Sequence, residues 1–291
     1  MTEVDPRSAA VAILEGKVQE DRERRSVEHE EEILARGLAG KSDASQRRDR
    51  PLNLYADGDS WFEYPLSKDT IDWIRADPSR PVVNKQAHHG DTSIERLGLA
   101  KRLRLIDNLD PQKHGIYDAL LFSAGGNDFA GDQFVLWLLD YADGLDPRHG
   151  FDRQRLNSML NIIRGAYVDL IGVRDKYTPQ SLIFVHGYDF ALPSGKRACP
   201  GVGPWLKPSL DFKGWTDFTS ASSLVKYILL EFDYMLRLIQ TQHKNVFYVR
   251  TQGTLTRADE WANELHPTED GFQKIADKFI AALKKRFPDR I

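Results

Sequence analysis

Ser60 in Gly58-Asp59-Ser60-Trp61, Asn127 in Gly125-Gly126-Asn127-Asp128, and His266 in Asn263-Glu264-Leu265-His266-Pro267 are residue types that together could attack a carbonyl. A serine hydroxyl becomes a nucleophile once a base takes its proton, and a histidine is such a base. An asparagine amide, like the backbone N–H of the serine itself, can donate to the oxyanion that then develops. Taken singly, each patch is ordinary local chemistry: Ser60, Asn127 and Asp128 all suit turns or helix N-caps. Their order, and the apolar runs just before the first two, make the combination specific. No Gly-x-Ser-x-Gly elbow stands in a suitable place.

For side chains so far apart to meet, the fold must bring several element ends to one edge. From Leu52 onward, short apolar runs alternate with helical patterns, as in a parallel sheet wrapped by helices. Candidate strands are Leu52 to Ala56, Pro81 to Lys85, Ala119 to Ser123, Ser181 to Val185 and Val246 to Arg250. Candidate helices are Ile94 to Leu105, Phe129 to Tyr141, Arg153 to Arg174, Ser220 to Gln242 and Thr268 to Arg286. The expected fold class is α/β, a doubly wound parallel five-stranded sheet with flavodoxin-like order, and such sheets bind ligands beyond the carboxyl ends of their strands.

On these three patches the chain resembles the SGNH (GDSL-type) hydrolase family, over roughly residues 51 to 288. The resemblance implies a metal-independent serine esterase without cofactor, with Ser60 as nucleophile and His266 as base. It adds Gly90, in Gly90-Asp91-Thr92, as a backbone oxyanion donor beside the Ser60 N–H and the Asn127 amide. The family pattern has an aspartate three residues before the histidine, where this chain has Asn263. Three accounts follow: Asn263 orients the imidazole through its amide oxygen, a carboxylate from Asp259, Glu260 or Glu264 does so, or the enzyme is weakened. Orientation by Asn263 ranks first. The first expectation for the substrate is a small acyl ester, such as an acetyl group on a carbohydrate, with lipid esters second. A low-turnover binding or regulatory protein on the same fold is the rival from another class.

Around the patches, Trp61, Phe62 and Tyr64 supply aromatic surface. The Pro- and Gly-rich stretch Gly187 to Gly214, carrying Tyr188 and Trp205, has the length of a lid or binding loop. Trp61, His89, His186, Tyr188 and Trp205 are therefore candidate substrate-binding residues. The dispersed histidines have no metal-ligand spacing, so no metal is expected.

A net charge of −3 lacks the clustered basic excess that phosphate tracking requires, so no nucleic-acid partner is expected. The single cysteine, Cys199, excludes an internal disulfide and fits a reducing compartment. No run of about 18 apolar residues spans a membrane, and no secretory signal is recognisable, which makes the cytoplasm the default expectation. Residues 1–50 stand apart from the hydrolase-like domain at 51–291. Val11, Leu14 and Val18 have helical spacing, then charges dominate from Gln19 to Glu32, and Gly40 to Arg50 reads as a polar linker. Such an arm either packs lightly on the domain or serves self-association or partner docking. The stretch from Gly37 to Ser42 looks like a phosphate-binding loop but is two residues too short and follows no strand.

Overall fold

The computed structural model describes residues 6–35 and 50–291. The linker expected from sequence, apart from Arg50, and the Gly37–Ser42 stretch lie outside the described residues, as do the side chains of Val11, Leu14 and Val18. The chain runs α1 (Pro6–Ala35), β1 (Asn53–Gly58), α2 (Thr70–Arg75), β2 (Val82–Lys85), α3 (Ser93–Leu97), α4 (Leu99–Asn108), α5 (Pro111–His114) and β3 (Ala119–Ser123). It continues through α6 (Gly126–Phe129), α7 (Arg153–Tyr177), β4 (Leu182–His186), α8 (Lys207–Phe212), α9 (Phe218–Gln242), β5 (Val246–Val249) and α10 (Glu269–Lys284).

The five strands form one parallel sheet in the order β2-β1-β3-β4-β5, the flavodoxin-like arrangement expected. Every residue of β1 and β3 is buried, because helices cover both faces of a parallel sheet and leave no polar side. Helices α3 and α9 each pack on α7, while α2 packs on α10.

Two expected helices are corrected. The Ile94–Leu105 segment is broken at Gly98, whose ψ of 153° ends α3 before α4 begins. The Phe129–Tyr141 segment is no continuous helix: Gly131 at φ +96° stops the chain after α6, a 3₁₀ turn covers Asp132–Leu136, and Leu138 then pairs antiparallel with Phe151. The short helices α2, α5 and α8 have no counterpart in the sequence reading.

The C-terminal half of α1 docks beside β2. Ile33 packs on Val82, the His29 ring lies 6.0 Å from Tyr117, and His29 Nε2 meets Asn53 Oδ1 at 3.2 Å. Arg22 and Arg25 are buried there, whereas Ile13 further up the helix is exposed.

Candidate active site

β1 ends at Gly58, held at φ +155° so close to β3 that a Cβ would stand 2.4 Å from the Ser123 carbonyl oxygen. No other residue fits there, and the close approach lets Asp59 bridge the two strand ends. Its N–H donates to Ser123 O at 2.8 Å, and its Oδ1 accepts from Ser123 Oγ at 2.8 Å and Trp61 N at 3.0 Å. The chain then turns, with Phe62 and Glu63 N–H both donating to Asp59 O, and Ser60 stands at the head of that turn.

The third patch reaches this point from the other side of the sheet edge. Trp61 Nε1 donates to Leu265 O at 3.0 Å, tying the first patch to the third. His266 Nε2 lies 2.7 Å from Ser60 Oγ, and His266 Nδ1 lies 2.8 Å from Asn263 Oδ1. The orientation of the amide is fixed by its other contacts. Asn263 Oδ1 also accepts from Leu265 N and His266 N, each at 3.0 Å, while Nδ2 donates to the Tyr64 hydroxyl at 3.0 Å. An oxygen facing Nδ1 demands a proton there, which leaves the Nε2 lone pair aimed at the serine hydroxyl. Tyr64 stacks on the imidazole at 4.6 Å between centroids, and Trp205 meets it edge-on at 5.4 Å. Burial, with a smaller effect from His89, pushes the His266 pKa down to about 3, so the ring is neutral at ordinary pH.

The carboxylates considered as substitutes are elsewhere. Asp259 pairs with Arg257, and Glu260 with Lys274. Glu264 turns away from the histidine and accepts four backbone N–H groups, from Gly195, Trp205, Leu206 and Lys207. That one buried carboxylate fastens the 187–214 segment, and Trp205 with it, over the site. Nothing in the sequence signalled this role, because the donors are main-chain groups.

The second patch arrives from β3. Asn127 Nδ2 donates one hydrogen to Asp91 O at 3.0 Å, leaving the other available. Gly125, at φ +112°, passes so close to Phe232 that a Cβ would be 2.7 Å away, and one on Gly126 would be 2.9 Å from the Tyr188 ring. Tyr188 itself sits at φ +52°. Its hydroxyl accepts from Gly126 N at 3.0 Å and donates to Asp59 Oδ2, joining the first and second patches. Burial raises the Asp59 pKa to about 6 despite these donors. Gly90 turns at φ +80° in the exposed loop after β2. Among the described residues, no hydrogen bond uses the backbone N–H of Ser60 or Gly90.

Two cavities meet at Ser60, Asn127 and Leu265. One, about 780 Å³ with its open mouth, is lined by His266, His89, Gly90, Tyr64 and Trp205. The other, about 540 Å³, lacks His266 and is lined chiefly by apolar side chains, among them Phe129, Phe134, Leu206, Val225 and Ile228. Tyr188 and Trp61 border this second cavity. The structure corrects the expectation for His186, which lines neither. It is fully buried, stacked on Phe62 at 5.6 Å and close to Phe279 at 5.4 Å, with Nδ1 accepting from Tyr188 N at 3.3 Å. A histidine ending a strand reads the same in sequence whether it faces the mouth or the core. No group of three or more His, Cys, Asp or Glu side chains among the described residues could hold a metal ion. No helix among them is long and apolar enough to cross a membrane.

No family model and no curated protein matches the chain. Solved structures do. An extracellular lipase from Streptomyces rimosus is 15% identical with a TM-score of 0.50, the match covering 80% of this chain and 100% of that one. The lipase Lip_vut3 from a goat rumen metagenome is 14% identical with a TM-score of 0.51, covering 79% and 97%. A family 3 carbohydrate esterase from Clostridium thermocellum is 14% identical with a TM-score of 0.46, covering 82% and 98%. At such identity the likeness is one of fold, that of the SGNH/GDSL hydrolases.

Proposed function

Starting from its SGNH hydrolase fold, we propose that this chain is a serine ester hydrolase working through an acyl-enzyme on Ser60. The observation that carries the reading is the continuous relay from Ser60 Oγ to His266 Nε2 at 2.7 Å and from His266 Nδ1 to Asn263 Oδ1 at 2.8 Å. His266 takes the hydroxyl proton as Oγ bonds to the ester carbon, and the carbonyl electron pair moves onto its oxygen. The Ser60 N–H, the Gly90 N–H and the second Asn127 amide hydrogen stabilise that oxyanion; losing one such donor typically costs about 100- to 1,000-fold. The imidazolium then protonates the departing alcohol, and a water activated by the same nitrogen releases the acid.

The two cavities divide the substrate. The leaving alcohol must accept its proton from Nε2, so it belongs in the cavity that His266 lines, with His89, Tyr64 and Trp205. The acyl group then lies in the apolar cavity with Phe129, Phe134, Val225 and Ile228. That lining favours an acyl chain longer than acetyl, and thus the lipid-ester reading over the acetyl-carbohydrate one. Each methylene buried there is worth about fourfold in kcat/KM, from about 0.8 kcal/mol per CH₂.

A fluorophosphonate probe tests the chemistry, because it labels only an activated serine. The expected result is one adduct on Ser60, lost in Ser60→Ala and in His266→Ala. An unlabelled wild type would refute the reading. A p-nitrophenyl ester series from acetate to decanoate tests the division of the cavities, with kcat/KM expected to climb beyond acetate.

A further inference from the structure

We propose that Arg25, on the arm helix α1, is a positioning residue for the Ser60–His266 pair, so that the docked arm is part of the active site's support. This rests on the reading of Ser60 and His266 as nucleophile and base. The Arg25 guanidinium is buried and forks onto both oxygens of Glu63, Nη2 to Oε1 at 3.1 Å and Nη1 to Oε2. Glu63 stands three positions after Ser60 in the same turn, and its N–H donates to Asp59 O at 3.0 Å.

The residue after it is Tyr64, whose ring stacks on His266 and whose hydroxyl accepts from Asn263 Nδ2 at 3.0 Å. Tyr64 is held from behind by the same charge cluster: Asp69 Oδ2 accepts from Tyr64 N at 3.0 Å and from Lys85 Nζ at 2.6 Å. Lys85 lies 3.2 Å from Glu63 Oε2 and 3.3 Å from Asp72 Oδ1, so one ammonium is spread over three carboxylates. It cannot fix the Glu63 plane alone. A guanidinium fork can, because its paired donors match both carboxylate oxygens and define a direction. The path therefore runs from α1 through Arg25 and Glu63 to the backbone that carries Tyr64, and from Tyr64 to His266 and Asn263. His29 with Asn53, Ile33 with Val82, and Glu30 with His114 at 4.0 Å also anchor the arm.

The test uses the full chain and reads the rate of Ser60 labelling by a fluorophosphonate against pH. Arg25→Met combined with Glu63→Gln removes the fork without leaving a buried unpaired charge, so the fold should survive. The expected labelling rate falls about tenfold or more, since a misplacement of about 1 Å in a reacting pair costs about 100-fold. Loosening Tyr64 also admits water to the imidazole, so the acid limb of the profile should move up from its depressed position. Arg25→Lys, which keeps the charge and loses the fork, should fall between the double variant and wild type. A double variant that melts cooperatively and labels at the wild-type rate with an unmoved limb overturns the proposal. So does an Arg25→Lys protein that labels at the wild-type rate with an unmoved limb, because the fork would then contribute nothing. A wild type that never labels overturns the parent reading and this one together.

Discussion

Asn263→Asp adds one negative charge at the point where the imidazolium would form. The amide oxygen already accepts the Nδ1 hydrogen at 2.8 Å and two backbone N–H groups at 3.0 Å. One carboxylate oxygen can take over all three. The other replaces Nδ2, and the Tyr64 hydroxyl, which now accepts at 3.0 Å, can rotate to donate. The new charge therefore enters a cage of donors, which limits its desolvation cost. An opposite charge at such range raises the pKa of a histidine by about 1–3 units, or about 1.4–4 kcal/mol. Burial holds His266 at about 3, so in the variant the acid limb of kcat/KM should rise by those units toward the ordinary value. The sign is fixed: the variant loses activity earlier than wild type as pH falls. At neutral pH both rings are unprotonated, and if about half the added stabilisation is realised at the transition state, kcat gains about 3- to 30-fold. Asn263→Ala, which leaves two N–H groups and the ring without an acceptor, should lose about 100-fold or more. The assay is a pH profile of p-nitrophenyl ester hydrolysis with a melting curve for each variant. A folded Asn263→Asp protein that is tenfold slower than wild type with an unmoved acid limb would mean that the oxygen at 263 does not set the base.

Tyr188→Phe removes the hydroxyl shared by Gly126 N and Asp59, which should destabilise the protein by about 1–3 kcal/mol and slow turnover. Asp59 is already raised by burial to about 6, above its ordinary 3.8, so its ionisation erodes stability as pH climbs through that interval; the variant should extend the erosion to higher pH in denaturant melts. Glu264→Ala strips the acceptor from four backbone N–H groups, and limited proteolysis should then cut within residues 187–214 with a stability loss of about 3 kcal/mol or more. Ala130→Phe fills the apolar cavity, and the preferred acyl chain should shorten; an unchanged decanoate-to-acetate ratio would place the acyl group elsewhere. Exhaustive chelation should leave turnover intact, whereas loss restored by one divalent ion would contradict the base-and-oxyanion chemistry described above.

The sheet was legible because its signals are local and redundant. β1 and β3 are buried on both faces, which writes continuous apolar runs into the sequence, and the helices α7, α9 and α10 are long enough for their periodicity to show. Short or interrupted helices were not legible. A glycine at 131 with positive φ undoes a pattern that apolar spacing alone would continue to Tyr141, and the four residues of α5 carry too little period to read. His186 shows the same limit for single residues: its type suggested a polar mouth, while its partners Phe62 and Phe279 are distant in sequence and make it core.

The residues that support the site were hidden for a different reason. Ser60, Asn127 and His266 stand out by type, but what holds them is main-chain polarity and buried pairing between distant segments. Asp59 reads as the second letter of a turn, yet it joins Ser123, Trp61 and Tyr188 and so locks two patches together. Glu264 reads as a spare catalytic carboxylate, yet its two oxygens are consumed by the 187–214 segment. That difference decides the chemistry. A carboxylate spent on backbone N–H groups cannot also face an imidazole, and the acceptor left for His266 is an amide without charge. Its weakness as a partner is met by geometry: three donors and one hydroxyl fix the oxygen of Asn263, and two aromatic rings hold the imidazole in its neutral, proton-accepting form. On the proposed reading of His266 as base, a site built this way keeps that base unprotonated at acidic pH, and gives up the imidazolium stabilisation that a carboxylate at 263 would supply.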